Sequence, residues 1–385
     1  MQKKMKPGRL KQLINSVLYK PADYRFDPMD KKIIAEYNKV RPSGKKKCLC
    51  YVPYTNMSFT ADGTVLSCNY NQSVILGKYP AQTIHEMWNS DGAGKLRECI
   101  RHNDLNCGCQ YCKNFLESGK FSAMKPQVYD RYSGSYTLKS PKVMEFILDN
   151  TCNLECVQCS GIFSSLKNRT DHLSASSMPY DDSFLQQLEN YIPYLEEAKF
   201  YGGEPFLIDI YYKIWEKIIE IKPGILIFTI TNGTILNDRI RQILSKGNFD
   251  LAVSVDAVTK NKFEEIRKGA HFETVMSNLE FFNDYCLSHH QVLSVSTTLM
   301  RNNWEEVPGI VDLCNKSGAR TFFSYLTTPV DLAIYNLEYA ALKNIYDTLS
   351  KYDFPENTAI QKYNKSCYDD FVNQIHKWMV KANSV

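Results

Sequence analysis

Three closely spaced cysteines constrain this chain more than any other feature. Cys152, Cys156 and Cys159 have the spacing C-x3-C-x2-C and follow the apolar run 143–148. Three thiolates this close in sequence suit three corners of a 4Fe-4S cube, whose usual ligand set is four. No fourth cysteine lies nearby, so one iron would stay open for another ligand. The alternative, a zinc site, usually takes four ligands grouped in C-x2-C pairs.

This loop resembles that of the radical S-adenosylmethionine (SAM) enzymes, in which the amino and carboxylate groups of SAM chelate the open iron. Two further features support the resemblance. Residues 143–148 have the pattern of a buried strand leading into the loop, and Tyr201-Gly202-Gly203-Glu204-Pro205 looks like the family's GGE motif. Glycines let the backbone approach a ligand closely, and Glu204 can accept hydrogen bonds from an ammonium group. The resemblance implies Gly202, Gly203 and Glu204 as SAM contacts.

Strand and helix signals alternate from residue 143 onward. Strands are predicted at 143–149, 198–202, 225–232, 250–256, 292–299 and 321–327, and helices at 181–195, 211–222, 237–246, 272–286, 303–317 and 338–352. Six β/α units in succession indicate parallel strands with crossover helices, closed only partly into a barrel. The predicted fold class is therefore α/β, a partial (β/α)6 TIM barrel, which is also the fold that the resemblance implies.

Ligands of such barrels gather at the carboxyl ends of the strands. Asn232 ends the third predicted strand, and Ser254 and Asp256 end the fourth. By resemblance, these three residues would approach the methionine or ribose of SAM. The alternative is that Asn232-Gly233 is a turn and Asp256 caps a helix. Val157 lies where many family members place an aromatic residue against the adenine. The sequence identifies no catalytic acid, base or hydrogen donor.

A second cysteine-rich region precedes the barrel, at residues 48–115. Two short alternating runs flank Asp62-Gly63 and predict a β-hairpin, which helical runs follow. Four cysteines make a set suited to a closed 4Fe-4S cluster or a structural zinc: Cys50, Cys68, Cys109 and Cys112. Cys48 is an alternative to Cys50, and Cys107 to Cys109.

The order of these features is similar to the auxiliary-cluster domains of radical SAM enzymes, called SPASM when they hold two clusters and twitch when they hold one. No further cysteines follow Cys112 within the module, which favours a single auxiliary 4Fe-4S cluster. Iron is preferred over zinc because the module accompanies a radical SAM core. Cys99, inside a predicted helix, is interpreted as a small buried apolar residue. These modules normally follow the barrel, whereas here the module comes first.

The signals divide the chain into five segments: a basic N-terminal helical segment at 1–47, the auxiliary module at 48–115, a linker at 116–142, the radical SAM core at 143–328 and a C-terminal helical extension at 329–385. The first segment has 14 Lys and Arg against 4 Asp and Glu. Its apolar residues fall at helical spacing: Leu10, Leu13, Ile14, Val17 and Leu18. Such a helix either packs on the body of the protein or binds an anionic membrane surface or a partner.

Composition excludes several classes of protein. The 385 residues contain no run of about 18 apolar residues and no secretory signal pattern, so neither a membrane span nor export is expected. Thirteen cysteines in metal-ligand spacings predict free thiols in a reducing cytoplasm rather than disulfides. Aromatic residues do not alternate with basic ones, so no nucleic-acid partner is expected.

The resemblance implies reductive cleavage of SAM and hydrogen abstraction by a 5′-deoxyadenosyl radical, with a reductant such as flavodoxin or ferredoxin as partner. A peptide or protein substrate is predicted, modified by cross-linking, epimerisation or oxidation. The absence of a recognisable leader-peptide domain of about 80 residues weakens that prediction. One alternative is the same chemistry on a sugar or another small metabolite. Another is a non-catalytic iron–sulfur protein for electron transfer or binding.

Overall fold

The structure, a computed structural model, describes residues 24–121, 124–160, 164–170 and 178–383. They form two compact units. The first comprises Met1–Leu148, Ser176–Lys199 and Glu220–Ile225, and the second comprises Asp149–Ala175, Phe200–Ile219 and Leu226–Val385, as far as these residues are described. The apolar positions predicted for an N-terminal helix, Leu10 to Leu18, lie outside the described residues.

The first unit contains the cysteine-rich module. Its helices are α1 (Lys31–Val40), α2 (Val52–Thr55), α3 (Ile84–Trp88), α4 (Asp91–Arg101) and α5 (Gln110–Glu117), and its first strands are β1 (Asn56–Thr60), β2 (Thr64–Cys68) and β3 (Asn71–Lys78). The predicted hairpin is confirmed, because β1 pairs antiparallel with β2. Gly63 makes the turn with a φ of +85°, and a Cβ there would lie 2.2 Å from the Tyr79 carbonyl oxygen. Only glycine fits this position without strain.

The hairpin continues into the sheet that also holds the first strands of the predicted barrel. β1 pairs in parallel with β4 (Val143–Ile147) from Asn56 opposite Val143 to Thr60 opposite Ile147. β3, which the sequence did not predict, pairs antiparallel with β2. The strand order in this unit is β3-β2-β1-β4-β5, where β5 is Glu197–Phe200. Parallel pairing of β1 with β4 therefore fixes the module against the strand that leads into the cysteine loop.

The predicted linker contains ordered structure. Residues Lys125–Tyr132 form a 3-10 helix. Its Asp130 forms a buried ion pair with Arg41, and the Arg41 guanidinium also donates to the carbonyl oxygens of Cys48 and Leu49. This pair therefore holds the chain on either side of the hairpin and positions the segment that contains Cys48 and Cys50.

The second unit continues the alternation of strands and helices. Its strands are β6 (Leu226–Thr231), β7 (Asn248–Ser254), β8 (Ser294–Leu299) and β9 (Arg320–Tyr325), and each pairs in parallel with the next. The helices from the cysteine loop onward are α6 (Ser165–Thr170), α7 (Asp182–Glu189, in the first unit), α8 (Asp209–Ile221), α9 (Asp238–Leu244), α10 (Lys260–Ile266), α11 (Phe272–Ser288) and α12 (Val307–Ser317). The predicted α/β class, with a parallel sheet and the module before it, is confirmed.

Two helices end the chain: α13 (Tyr339–Leu349) and α14 (Ala359–Ala382). Thr358 and Gln361 form a capping box that starts α14, and the buried Phe371 and Ile375 of α14 share an apolar cluster with Leu342 of α13. Neither α14 nor any other helix among the described residues is both long and apolar enough to cross a membrane.

The Arg41–Asp130 pair makes a testable contribution to stability. Removing one partner of a buried pair leaves the other charge uncompensated, so we expect Asp130→Ala to lower the free energy of unfolding by about 3–5 kcal/mol in a urea titration. The matched control is Asp209→Ala, which removes the partner of Arg239 in an ion pair whose side chains are 52% and 82% exposed. This change should cost less than about 1 kcal/mol. Equal losses in the two variants would contradict the assignment.

Candidate active site

The three cysteines of the predicted cluster loop line one cavity of about 480 Å³ in the second unit. In the described residues, only Cys99, Asp104 and Cys107 bring three ligand atoms within 4.8 Å of one another. A tetrahedral zinc with Zn–S bonds of about 2.3 Å would hold its sulfurs about 3.8 Å apart. The sulfurs of Cys152, Cys156 and Cys159 do not all lie within 4.8 Å of one another, so they are not arranged as the ligands of one zinc ion.

The environment of these thiols favours their protonated form. Burial raises the pKa of Cys159 to about 11 and also raises the pKa of Cys152 and Cys156. Metal ligation requires the thiolate, so the loop would lose its protons when iron binds rather than before. Asn232 Nδ2 lies 4.0 Å from the Cys152 sulfur, the distance of a weak donor contact.

The GGE turn packs directly against the backbone of the cysteine loop. Gly202 has a φ of +119°, and a Cβ there would lie 2.4 Å from the Asp149 carbonyl oxygen. At Gly203, a Cβ would lie 2.1 Å from the Thr151 carbonyl oxygen. Both glycines also line the cavity. The close backbone approach expected from the glycines is thus made to the loop itself, so any larger residue would displace the cysteines.

Glu204 connects this turn to the end of β6. Its carboxylate accepts hydrogen bonds from the Asn232 backbone N–H (2.6 Å), the Thr231 hydroxyl (2.8 Å) and the Phe206 backbone N–H (3.1 Å). The side chain is fully buried, and desolvation raises its pKa to about 7 although all three donors act in the opposite direction. Glu204 lies behind the cavity lining. Its role as a SAM contact stays a prediction.

The strand ends carry the residues expected there. Asn232 and Ser254 both line the cavity. Asn232 also donates to Asn153 of the cysteine loop at 2.9 Å, and Gly233 has a φ of +73°, so the turn interpretation of Asn232-Gly233 holds as well. Contact of Asn232 and Ser254 with SAM remains a prediction.

Asp256 occupies a different environment. It is fully buried, and its carboxylate binds Arg267 at 2.7 Å, the Gln158 side-chain amide at 2.6 Å and the Thr298 backbone N–H at 2.7 Å. It does not cap the next helix, because the N-cap of α10 is Thr259. Contact between Asp256 and SAM stays a prediction that these partners do not favour.

Val157 packs beside the buried cluster of Ile266, Met300 and Leu326, and its backbone N–H donates to the Ile266 carbonyl at 2.9 Å. Its predicted contact with adenine is not tested by this placement. Among the other residues that line the cavity, the sequence did not identify Gln158, Arg267, Thr327 and Thr328. Gln158 lies within the cysteine loop, whereas no local motif marks the other three, which follow α10 and β9.

The auxiliary cysteines form the second site, within the first unit. The four predicted ligands all line one cavity: Cys50, Cys68, Cys109 and Cys112. The two alternative ligands, Cys48 and Cys107, do not line it. Three of the sulfurs receive an N–H group at 3.4 Å: Cys50 from Val52, Cys68 from Tyr70 and Cys109 from the Asn71 side chain. Such hydrogen bonds stabilise cluster thiolates. No three of the four sulfurs lie within 4.8 Å of one another, so they are not arranged as the ligands of one zinc ion.

A disulfide joins Cys99 and Cys107. This finding corrects three expectations: the cysteines are not all free thiols, Cys99 is not simply an apolar residue, and Cys107 is not a ligand in this state. Both residues are buried beside Asp104, whose carboxylate accepts hydrogen bonds from the Tyr24 hydroxyl and the backbone of Asp27 and Asn106. No sequence pattern marks this pair, because Cys107 lies two residues from a predicted ligand.

Comparisons with known proteins agree with this geometry. Residues 146–314 match the model of the radical SAM superfamily, and residues 48–113 match that of SPASM, an iron–sulfur cluster-binding domain. The two matches support 4Fe-4S clusters and SAM as cofactors, and they follow the predicted order, with the auxiliary module first.

Curated relatives are distant. An uncharacterized protein of Archaeoglobus fulgidus is 26% identical over 163 residues, which are 42% of this chain and 36% of that protein. A GTP 3′,8-cyclase of Clostridium perfringens is 23% identical over 176 residues, 44% of this chain and 50% of that protein. An AdoMet-dependent heme synthase of Methanosarcina barkeri is 23% identical over 198 residues, which are 49% of this chain and 52% of that protein. The chain spans about half the length of these relatives or less.

Solved structures are similar at low identity. The structure of native anSMEcpe with bound AdoMet has a TM-score of 0.42 and 19% identity, over 54% of this chain and 60% of that one. SuiB of Streptococcus suis bound to S-adenosylmethionine has a TM-score of 0.41 and 14% identity, over 67% of this chain and 56% of that one.

Glu204 predicts a pH dependence of stability. Its pKa is about 7 in the folded protein against an ordinary value of 4.5, so the folded state binds the proton more tightly. Its contribution to stability is complete below pH 4.5 and is lost as the pH rises through about 7, a loss of about 3 kcal/mol. Urea unfolding of cluster-free protein at pH 5 and pH 8 should show this difference in the wild type and in the exposed-site control Glu305→Gln. In Glu204→Gln the difference should be smaller, and an unchanged difference would exclude Glu204 as its source.

The ligand assignment of the auxiliary site predicts iron content. After anaerobic reconstitution, alanine at Cys50, Cys68, Cys109 or Cys112 should lower iron below the roughly eight atoms per chain of the wild type, because a site built for four thiolates then leaves one corner iron without its ligand. Cys48→Ala, a change two residues from a ligand, should keep about eight. Iron and sulfide assays measure the result. Loss of iron in Cys48→Ala together with retention in Cys50→Ala would exchange the two assignments.

Proposed function

Because the chain belongs to the radical SAM superfamily and carries a SPASM domain ahead of its radical SAM domain, we propose that it is an enzyme that modifies a peptide or protein. When bound, the cluster and SAM supply the chemistry: an electron cleaves SAM reductively, and the resulting 5′-deoxyadenosyl radical removes hydrogen from the substrate. The observation that carries this proposal is that three widely spaced cysteines, the GGE glycines and two strand-end residues line one cavity.

The residues of this cavity have separate tasks in the proposal. Cys152, Cys156 and Cys159 would hold three irons of a 4Fe-4S cluster and leave the fourth iron for SAM. Gly202 and Gly203 line the cavity and let the GGE turn lie against the backbone of the cysteine loop, where a side chain would clash with the Asp149 and Thr151 carbonyl oxygens. Asn232 and Ser254 offer an amide and a hydroxyl to the polar groups of SAM. Glu204 keeps Asn232 in place through its hydrogen bond to that residue's backbone.

The size of the cavity supports a substrate that enters only in part. At about 480 Å³ it lies in the lower half of the range of about 300–1,000 Å³ that is usual for sites of drug-sized ligands. A bound cluster and SAM would together take up much of that space, so only a small part of a substrate, such as one side chain, would enter it. A peptide or protein can present such a group while the rest of the chain stays outside. The resemblance to SPASM and twitch enzymes, which most often act on peptides, points the same way.

A small metabolite is the second candidate substrate. The observation in its favour is that the names of the matched curated relatives describe GTP cyclisation and heme synthesis rather than peptide modification. For either class of substrate, we propose that the net reaction is an oxidation, a cross-linking or an epimerisation.

We further propose that a flavodoxin or ferredoxin supplies the electron. The auxiliary cluster, held by Cys50, Cys68, Cys109 and Cys112, would accept an electron from the substrate or shape the site. A cytoplasmic location stays a prediction from the sequence.

The decisive measurement is cleavage of SAM. Reconstituted wild-type protein with dithionite and SAM should yield 5′-deoxyadenosine, and a Cys152/Cys156/Cys159→Ala variant should yield none, because it cannot hold the open cluster. The matched control replaces three cysteines outside both ligand sets, Cys286, Cys314 and Cys367, with alanine, and it should retain the activity. No cleavage by fully iron-loaded wild type would instead indicate a non-catalytic electron-transfer or binding protein.

A second measurement separates the two substrate classes. Addition of the peptide fraction of a cell extract should raise the rate of 5′-deoxyadenosine formation above the uncoupled rate. Stimulation by the small-metabolite fraction alone would replace the peptide proposal with the second candidate.

A further inference from the structure

A buried ion pair lies directly beside the cysteine loop of the second unit. Arg267 Nη2 and Asp256 Oδ2 are 2.7 Å apart, and their side chains are 8% and 0% exposed. Burying a charged pair costs desolvation energy, so such pairs do not by themselves indicate stabilisation. The surroundings of the pair indicate what it does.

The pair is attached to the loop at three points. Gln158, which lies between Cys156 and Cys159, donates its side-chain amide to Asp256 at 2.6 Å. On either side of Arg267, the Ile266 carbonyl accepts the Val157 N–H at 2.9 Å and the Lys268 carbonyl accepts the Glu155 N–H at 3.0 Å. Residues 155–158 are therefore fastened to residues 266–268 and to the end of β7.

Arg267 also retains hydrogen-bonding capacity toward the site. Its Nε is buried without a hydrogen-bond partner among the described residues, and so is Gln158 Oε1. Both residues line the cavity that Cys152 and Cys156 line. The backbone hydrogen bonds from Val157 to Ile266 and from Glu155 to Lys268 place Arg267 alongside Cys156.

A cluster held by three thiolates is negatively charged, and its reduction potential depends on nearby charge and hydrogen bonding. We propose that Arg267, held in place by Asp256, is a positioning residue for the SAM-binding cluster. The hydrogen bond from Gln158 to Asp256 fastens the pair to the cysteine loop, and Arg267 places a fixed positive charge at the cavity that Cys152 and Cys156 line. This charge favours assembly of the cluster and raises its reduction potential. The inference rests on the cluster, not on the substrate or the net reaction.

The test is a potentiometric titration of the reconstituted protein followed by electron paramagnetic resonance, with the SAM-binding cluster identified by its response to SAM. In Arg267→Gln, we expect the potential to shift to a more negative value, because the cation is lost. In Asp256→Asn, we expect the opposite shift, because the neutralising carboxylate is lost while Arg267 remains. Arg267→Lys should stay close to the wild type. The control Arg239→Gln removes an exposed arginine from the same unit and should change nothing.

These opposite shifts of the reduction potential distinguish an electrostatic role from a structural one. A structural role would shift the potential of both variants in the same direction. Unchanged potential in Arg267→Gln, or shifts of the same sign in Arg267→Gln and Asp256→Asn, would overturn the proposal. If Arg267→Gln does not bind iron, Arg267→Lys decides: a loaded cluster with the wild-type potential supports the role of the charge, and loss of iron there overturns it. Because the potential is measured without turnover, this result is independent of whether SAM is cleaved.

Discussion

The direction of the strands is the constraint on which the candidate active site depends. In the second unit, β6, β7, β8 and β9 pair in parallel, so their carboxyl ends lie at one edge of the sheet. Asn232, Ser254 and Thr327 follow or end three of these strands and line the same cavity. The cysteine loop reaches this edge through the hydrogen bond between Asn232 and Asn153. The site therefore forms because of sheet topology and not because its residues are close in sequence.

Both cysteine sites must stabilise buried thiolates, and they use different groups to do so. Burial raises the pKa of the thiols at both, so each site needs groups that stabilise sulfur in its charged form. The auxiliary site does this with neutral N–H donors from Val52, Tyr70 and Asn71. The other site adds a full charge on Arg267. A cluster with four thiolate ligands has no iron free to bind another molecule. A cluster with three thiolate ligands must also bind a ligand at its fourth iron and accept an electron.

The sequence predicted the elements and turns that depend on residues close to one another in the chain. The strand expected at 225–232 is β6 at Leu226–Thr231, and the hairpin around Gly63 formed as its turn residues indicated. Strand β3 was missed because its exposed polar residues and Gly77 weaken the alternating pattern. The Cys99–Cys107 disulfide was missed because the pairing depends on how α4 ends and on the loop after it. Pattern and spacing predict elements and motifs, but not contacts made by folding one element against another.

Asp256 shows why residue type at a strand end does not settle function. A carboxylate two residues beyond Ser254 has the chemistry to bind a ribose or an ammonium group, and the sequence contains nothing that argues against this role. Its partner Arg267 follows α10, and only the packing of that helix brings the guanidinium within reach. Once paired, the carboxylate holds the residues that line the cavity instead of lining it. Glu204 stands in the same relation to Asn232. In this site, acidic residues therefore act one layer behind the surface, and the cysteines, glycines and amides that they hold in place form it.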